Sequence, residues 1–214
     1  MNRLTTAAAL ALVATPALAH HPLAGAAMET FAHGLLSGVG HPLLGFDHLF
    51  FVLAVGVAAL FTGRALTAPL AFLAAMAAGV ALSGGAAFGF VEPMIAVSLL
   101  ILGGLVAWGR ALSLPVALAA FAGLGVFHGL AFGGSLAGVE GAASGAVLAG
   151  YLIGLAAIQW AIAVGFGMVV SRIWGASSAA AAPARLSGAM VAGVGAFLCL
   201  EVVEGAAFAA LGIG

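Results

Sequence analysis

His41-Pro42-Leu43-Leu44-Gly45-Phe46-Asp47-His48-Leu49-Phe50 is where an almost charge-free chain first commits to a long apolar run. Two imidazoles and a carboxylate at a membrane entrance are costly groups, so their presence calls for a chemical reason. Around this run, 65% of the 214 residues are hydrophobic and only 5% are Asp, Glu, Lys or Arg. The mean hydropathy is +1.31. A water-soluble domain carries about a quarter charged residues, so the composition excludes one and predicts an all-α polytopic membrane bundle. All five basic residues are scattered arginines and the formal net charge is −1, which offers nucleic acid no binding face. The lone cysteine, Cys199, excludes an intrachain disulfide and any Cys-rich metal motif. Thirty-three glycines suit helices that pack closely in lipid.

Upstream, residues 1–19 read as a cleaved signal peptide: Arg3, an apolar run from Ala7 to Ala14, then Pro16 and the small-residue site Ala17-Leu18-Ala19. That run is too short for a hydrocarbon core of roughly 30 Å. Cleavage leaves His20-His21 at the mature start, and 20–214 as a single transmembrane domain. Pro22 to Gly40, with His33, is expected to be exported and to lie at the membrane surface rather than span it.

Downstream, apolar stretches at about 42–62, 66–83, 93–108, 114–134, 145–173 and 187–211 predict six transmembrane helices. Positive residues concentrate in cytoplasmic loops. With an exported N-terminus and six spans, Arg64, Arg110, Arg172 and Arg185 fall inside while Glu29, Glu92 and Glu140 fall outside. Both mature termini then lie on the exported face of the membrane. Three helices plus three would relate the halves by an inverted repeat, with His48 and His128 in roughly comparable places.

Chemistry concentrates in three places. Pro42 suits the first turn of a helix, which puts His41 just outside it. On one continuous helix His41 and His48 would stand about 10.5 Å apart along the axis, too far for one ion. Either a loop position for His41 or a break near Gly45 brings them together. Asp47 either ligates or orients an imidazole. The second place is Phe127-His128-Gly129-Leu130-Ala131-Phe132-Gly133-Gly134, where glycine beside a histidine implies a packed helix or a cavity. The third is Glu201 and Glu204, at i and i+3 on one helix face, expected to be protonated, hydrogen-bonded or facing a cation. Imidazole and carboxylate without thiolate suit nickel, cobalt, zinc or copper(II).

Those motifs resemble the HupE/UreJ family of bacterial membrane proteins. The family's first motif, His, five residues, Asp-His, stands intact from His41 to His48. The second resembles Phe-His-Gly-x-Ala-His-Gly-x-Glu and reads here Phe127-His128-Gly129-Leu130-Ala131-Phe132-Gly133-Gly134-Ser135, so Phe132 replaces its second histidine and Ser135 its acid. The resemblance implies a nickel/cobalt permease supplying metalloenzymes such as hydrogenase or urease. It carries His41, Asp47, His48 and His128 over as metal ligands, with Glu140, Glu201 or Glu204 available to complete a reduced site.

The expected function is therefore secondary import of a transition-metal dication, nickel or cobalt first, with zinc and copper(II) open and no tightly bound cofactor. Its partners are the ion and the bilayer, and a homo-oligomer is allowed. A neutral-solute channel or a non-transporting membrane subunit are the alternatives. An intramembrane serine hydrolase fits less well: Gly141-Ala142-Ala143-Ser144-Gly145 has the wrong spacing, and the last helix holds no histidine to activate a serine, so no enzyme is expected.

Overall fold

The computed structural model describes residues 27–137, 139 and 141–212. The signal peptide, His20, His21 and Glu140 lie outside the described residues. Within them the chain is helical: α1 Phe31–Leu44, α2 Phe46–Leu60, α3 Pro69–Ser83, α4 Val91–Ala107, α5 Leu114–Gly134, α6 Gly145–Met168 continued by a π turn at Val169–Ile173, and α7 Ala182–Leu211. The starts follow local chemistry. Thr30 accepts the His33 N–H ahead of α1, and Ser144 accepts that of Val147 ahead of α6. Prolines occupy the first turns of α3, α5 and α7, where a missing N–H costs nothing.

Three helices, α5, α6 with its π turn, and α7, are long and apolar enough to cross a membrane, and the bent pair α1–α2 qualifies jointly as a fourth span. α3 and α4 are apolar but shorter.

The segment before the His41 run departs from expectation. Instead of lying at the surface, residues 31–44 form α1, which packs lengthwise on α6. Its small residues explain why: a Cβ on Gly34 would strike the Val147 carbonyl and one on Gly38 that of Tyr151, while Gly150 and Gly154 receive the α1 backbone in return. Two four-residue glycine spacings thus interlock, as small-residue motifs do in lipid, where close van der Waals approach holds helices together. The same device joins α3 to α5, where Gly125, Gly129 and Gly133 meet Phe72, Met76 and Ser83 in turn. It also joins α4 to α7, where Gly103 meets Ala192 and Gly195 meets Leu99. These contacts fix direction: α1 runs parallel to α6, α3 parallel to α5, and α4 antiparallel to α7.

Pro42 is likewise not at a helix start. It sits in the last turn of α1, and Gly45, extended at φ −89° and ψ 96°, is the break. The Gly45 N–H closes α1 on the His41 carbonyl, and its own carbonyl accepts the Leu49 N–H to open α2. α1 and α2 meet at 83°.

One end of the bundle gathers the arginines. A cleft there is lined by Phe61 at the end of α2, Arg110 after α4 and Ala184 at the start of α7, and Arg185 Nε donates to the Ala107 carbonyl at 3.0 Å. Arg64 lies between α2 and α3 and Arg172 in the π turn closing α6, both exposed. At the other end Gly141 abuts Met28, and Ser83, Gly133 and Ala142 line a shared cavity.

Candidate metal-entry site

The break at Gly45 places the site. Turning the chain by 83° at that point lets His41, in the last turn of α1, face His48, in the first turn of α2, with ring centroids 6.2 Å apart. Both side chains are buried. Of the two arrangements open to the sequence, the structure has the helix break and not the loop.

His128 arrives from α5, fully buried, because Gly129 beside it lets α5 close onto the Met76 carbonyl of α3. Its Nδ1 lies 2.8 Å from His48 Nδ1, and its Nε2 lies 2.9 Å from Ser98 Oγ of α4. Proton bookkeeping fixes this chain. Ser98 Oγ donates its only proton to the Ile95 carbonyl at 2.7 Å, so it accepts from His128 Nε2–H. His128 Nδ1 then carries a lone pair and accepts from His48 Nδ1–H. The other ring nitrogen of His48, Nε2, lies 4.0 Å from Asp47 Oδ1.

An analogous network orients His41. Ser135 Oγ and Tyr151 Oη both donate to the Phe132 carbonyl, at 2.8 and 3.3 Å. Both oxygens also lie within reach of His41 Nδ1, at 3.4 and 3.3 Å, so the two hydroxyls hold that edge of the ring. Hydroxyl and carbonyl partners that set the tautomer of an imidazole are a recurring feature of histidine metal ligands.

Asp47 does two things. Its Oδ1 accepts the His48 backbone N–H at 2.8 Å, satisfying a donor at the positive end of α2. The same oxygen faces His48 Nε2 across 4.0 Å, too long for a hydrogen bond but open to a bridging water or ion.

Phe132 stands where the second histidine of the motif is missing. Its ring meets His41 edge-on at 5.0 Å and tilts over His48 at 4.2 Å, so a phenyl wedge fills the space between them. Phe51 stacks on His128 at 4.1 Å from the inner side. Among the described residues, no three His, Cys, Asp or Glu side chains close into a ready metal cage. The group consists of two buried imidazoles with Phe132 packed between them and one carboxylate at its edge.

Glu201 and Glu204 do not join it. α7 packs on α4 through Ser187, Gly188, Val191 and Gly195, and beyond these its last turns are exposed, with both glutamates on them. No hydrogen bond or ion pair among the described residues links them to the imidazoles. At the bundle end opposite the arginines, Glu92, in the first turn of α4, lines a cavity of about 230 Å³ together with Ser135, the residue next to His41. His33 is used locally, its Nδ1 accepting the Glu29 N–H at 3.2 Å.

The orienting roles of Ser98, Ser135 and Tyr151 are not apparent from sequence. The available signal is that Ser98 is a lone hydroxyl inside an apolar stretch and Tyr151 is the chain's one tyrosine. His48 and His128 also fail as repeat equivalents: His48 opens α2 whereas His128 lies near the end of α5, and an inverted repeat would map helix start to helix start.

Comparison with known proteins agrees with the motifs. A family model described as HupE / UreJ protein matches residues 8–198. The chain is 36% identical over 197 residues to Protein HupE of Rhizobium leguminosarum bv. viciae, spanning 86% of this chain and 96% of that protein. No solved structure gives a significant match. The chain belongs to the HupE/UreJ family.

Proposed function

We propose that this member of the HupE/UreJ family is a permease that imports a transition-metal dication, nickel or cobalt, across a bacterial inner membrane. The observation that supports the reading is the grouping itself: His48 is held through His128, His41 lies against Ser135 and Tyr151, and the Asp47 carboxylate lies beside His48 Nε2. In this reading the ion enters through the cavity lined by Glu92 and Ser135, exchanges water for His41 Nε2, His48 Nε2 and Asp47, and then passes to His128. Neutral imidazole and carboxylate suit nickel and cobalt, and the family resemblance points to the same metals. Glu201 and Glu204 are not required.

The membrane arrangement belongs to the same proposal. Six crossings, the bent pair α1–α2 as the first and then α3 to α7, would put the arginine end in the cytoplasm and the opposite end outside, after removal of residues 1–19. The chain then forms one transmembrane domain that feeds a metalloenzyme such as hydrogenase or urease. The membrane potential favours import: a dication moving toward a negative interior gains about 4.6 kcal/mol per 100 mV, twice the figure for one charge.

The test is uptake of radiolabelled Ni²⁺ and Co²⁺ into cells stripped of their own importers. Wild type is expected to show saturable uptake, lost in His48→Ala at equal membrane abundance. Equal accumulation by both would sink the ligand assignment.

A further inference from the structure

Resting on the import reading, the structure assigns a second, inner ion station to Gln159 of α6 and Met76 of α3. Gln159 is the chain's one glutamine and is fully buried. Its Nε2 donates to the Leu155 carbonyl at 3.1 Å and to Met76 Sδ at 2.8 Å. Its Oε1 is buried with no hydrogen-bond partner among the described residues. Exchanging the two ends of the amide would not help, because the oxygen would then face a carbonyl and a thioether, both acceptors. A buried carbonyl oxygen with no donor is rare in folded proteins and calls for an explanation.

Its position supplies one. Gln159 lies eight residues after Tyr151 on α6 and shares a buried face with it and Leu155, about 12 Å further toward the arginine end. Met76 is the residue whose carbonyl receives Gly129, next to His128. The amide thus lies inward of His41, beside the α3–α5 contact that carries His128, and one turn of α6 before Ala163 packs on Gly56 of α2.

The donor chemistry fits transfer rather than storage. An amide oxygen and a flexible thioether are both neutral, so they hold a dication less tightly than imidazole and carboxylate do. Conduction requires that each site be strong enough to fill and weak enough to empty. A sulfur donor also selects for borderline transition metals over magnesium or calcium, which take oxygen. Met76 can swing its sulfur from the amide N–H to an arriving ion by rotamer change alone.

Initial uptake rates of ⁶³Ni²⁺ in whole cells, over a range of external concentrations, test the station. Gln159→Leu is expected to cut the maximal rate by about tenfold while the half-saturating concentration, set by the outer imidazoles, stays near wild type. Met76→Leu, which removes the sulfur at similar volume, should lower the rate in the same way. If Gln159→Leu does not reach the membrane, Gln159→Glu decides: its added charge holds the ion more tightly and slows release, so a lowered maximal rate is expected. A wild-type maximal rate in Gln159→Leu, or in Gln159→Glu where that variant decides, overturns the station and leaves the import reading standing. Absence of saturable uptake by wild type overturns both.

Discussion

At the scale of single residues, the site is governed by where protons sit. Ser98 touches no ion in the proposed path, yet its hydroxyl sets the tautomer of His128 and, through it, that of His48. Removing such an outer partner typically costs about 10–100-fold in metal affinity. Ser98→Ala should therefore raise the half-saturating metal concentration by about that factor without reducing protein in the membrane, and Ser98→Thr, which restores a hydroxyl, should recover much of it. An unchanged half-saturation in the alanine variant would show that the His48–His128 chain is not what orients the entry site. The motif residues His41, Asp47, His48 and His128 were readable because ionisable groups stand out in an apolar chain. Their partners were not, since serine and tyrosine in a membrane helix more often bond locally, and only the fold shows which imidazole each one meets.

Helices are held here by backbone approach rather than by large side chains, and glycines are therefore where the elements are most sensitive. A Cβ at Gly129 would collide with the Met76 carbonyl, with backbone on both sides and nothing flexible to yield. Overpacking of this kind usually costs about 1–3 kcal/mol, and more where backbone must move. Gly129→Val should lower the thermal stability of the detergent-purified protein and separate α5 from α3. Gly123→Ala, earlier on the same helix, should not lower stability, because a methyl group there would meet nothing within 4 Å and alanine favours the helix over glycine. Equal melting of the two variants would contradict close α3–α5 packing. Glycine richness announced small-residue packing in advance, but which glycines face a neighbour was not legible. Gly123 and Gly129 look alike in sequence and differ only in what lies opposite.

For the whole molecule, the sidedness of the bundle is the property that function depends on. Arg64, Arg110, Arg172 and Arg185 gather at one end, and the loop from Gly141 to Ser144 lies at the other with Met28. In a Cys199→Ser background, a membrane-impermeant thiol reagent added to intact cells should label Ala143→Cys and leave Arg64→Cys and Arg172→Cys unlabelled until the cells are opened. Labelling of both ends in intact cells would disprove the proposed orientation.

What the sequence determined by itself was the class of molecule and the chemistry it carries: a helical membrane chain, because hydrophobicity and the near-absence of charge are properties of composition, and an imidazole–carboxylate cluster, because residue type alone limits the ions it suits. The tertiary structure decided the rest. α1 became part of the bundle because its glycines found those of α6, a match between segments more than a hundred residues apart. Pro42 ended a helix instead of starting one because Gly45 took the extended conformation that turns His41 toward His48. Glu201 and Glu204 stayed outside because α7 packs on α4 through an earlier stretch. Each outcome depends on which surfaces meet, and a linear pattern of residue types does not contain that information.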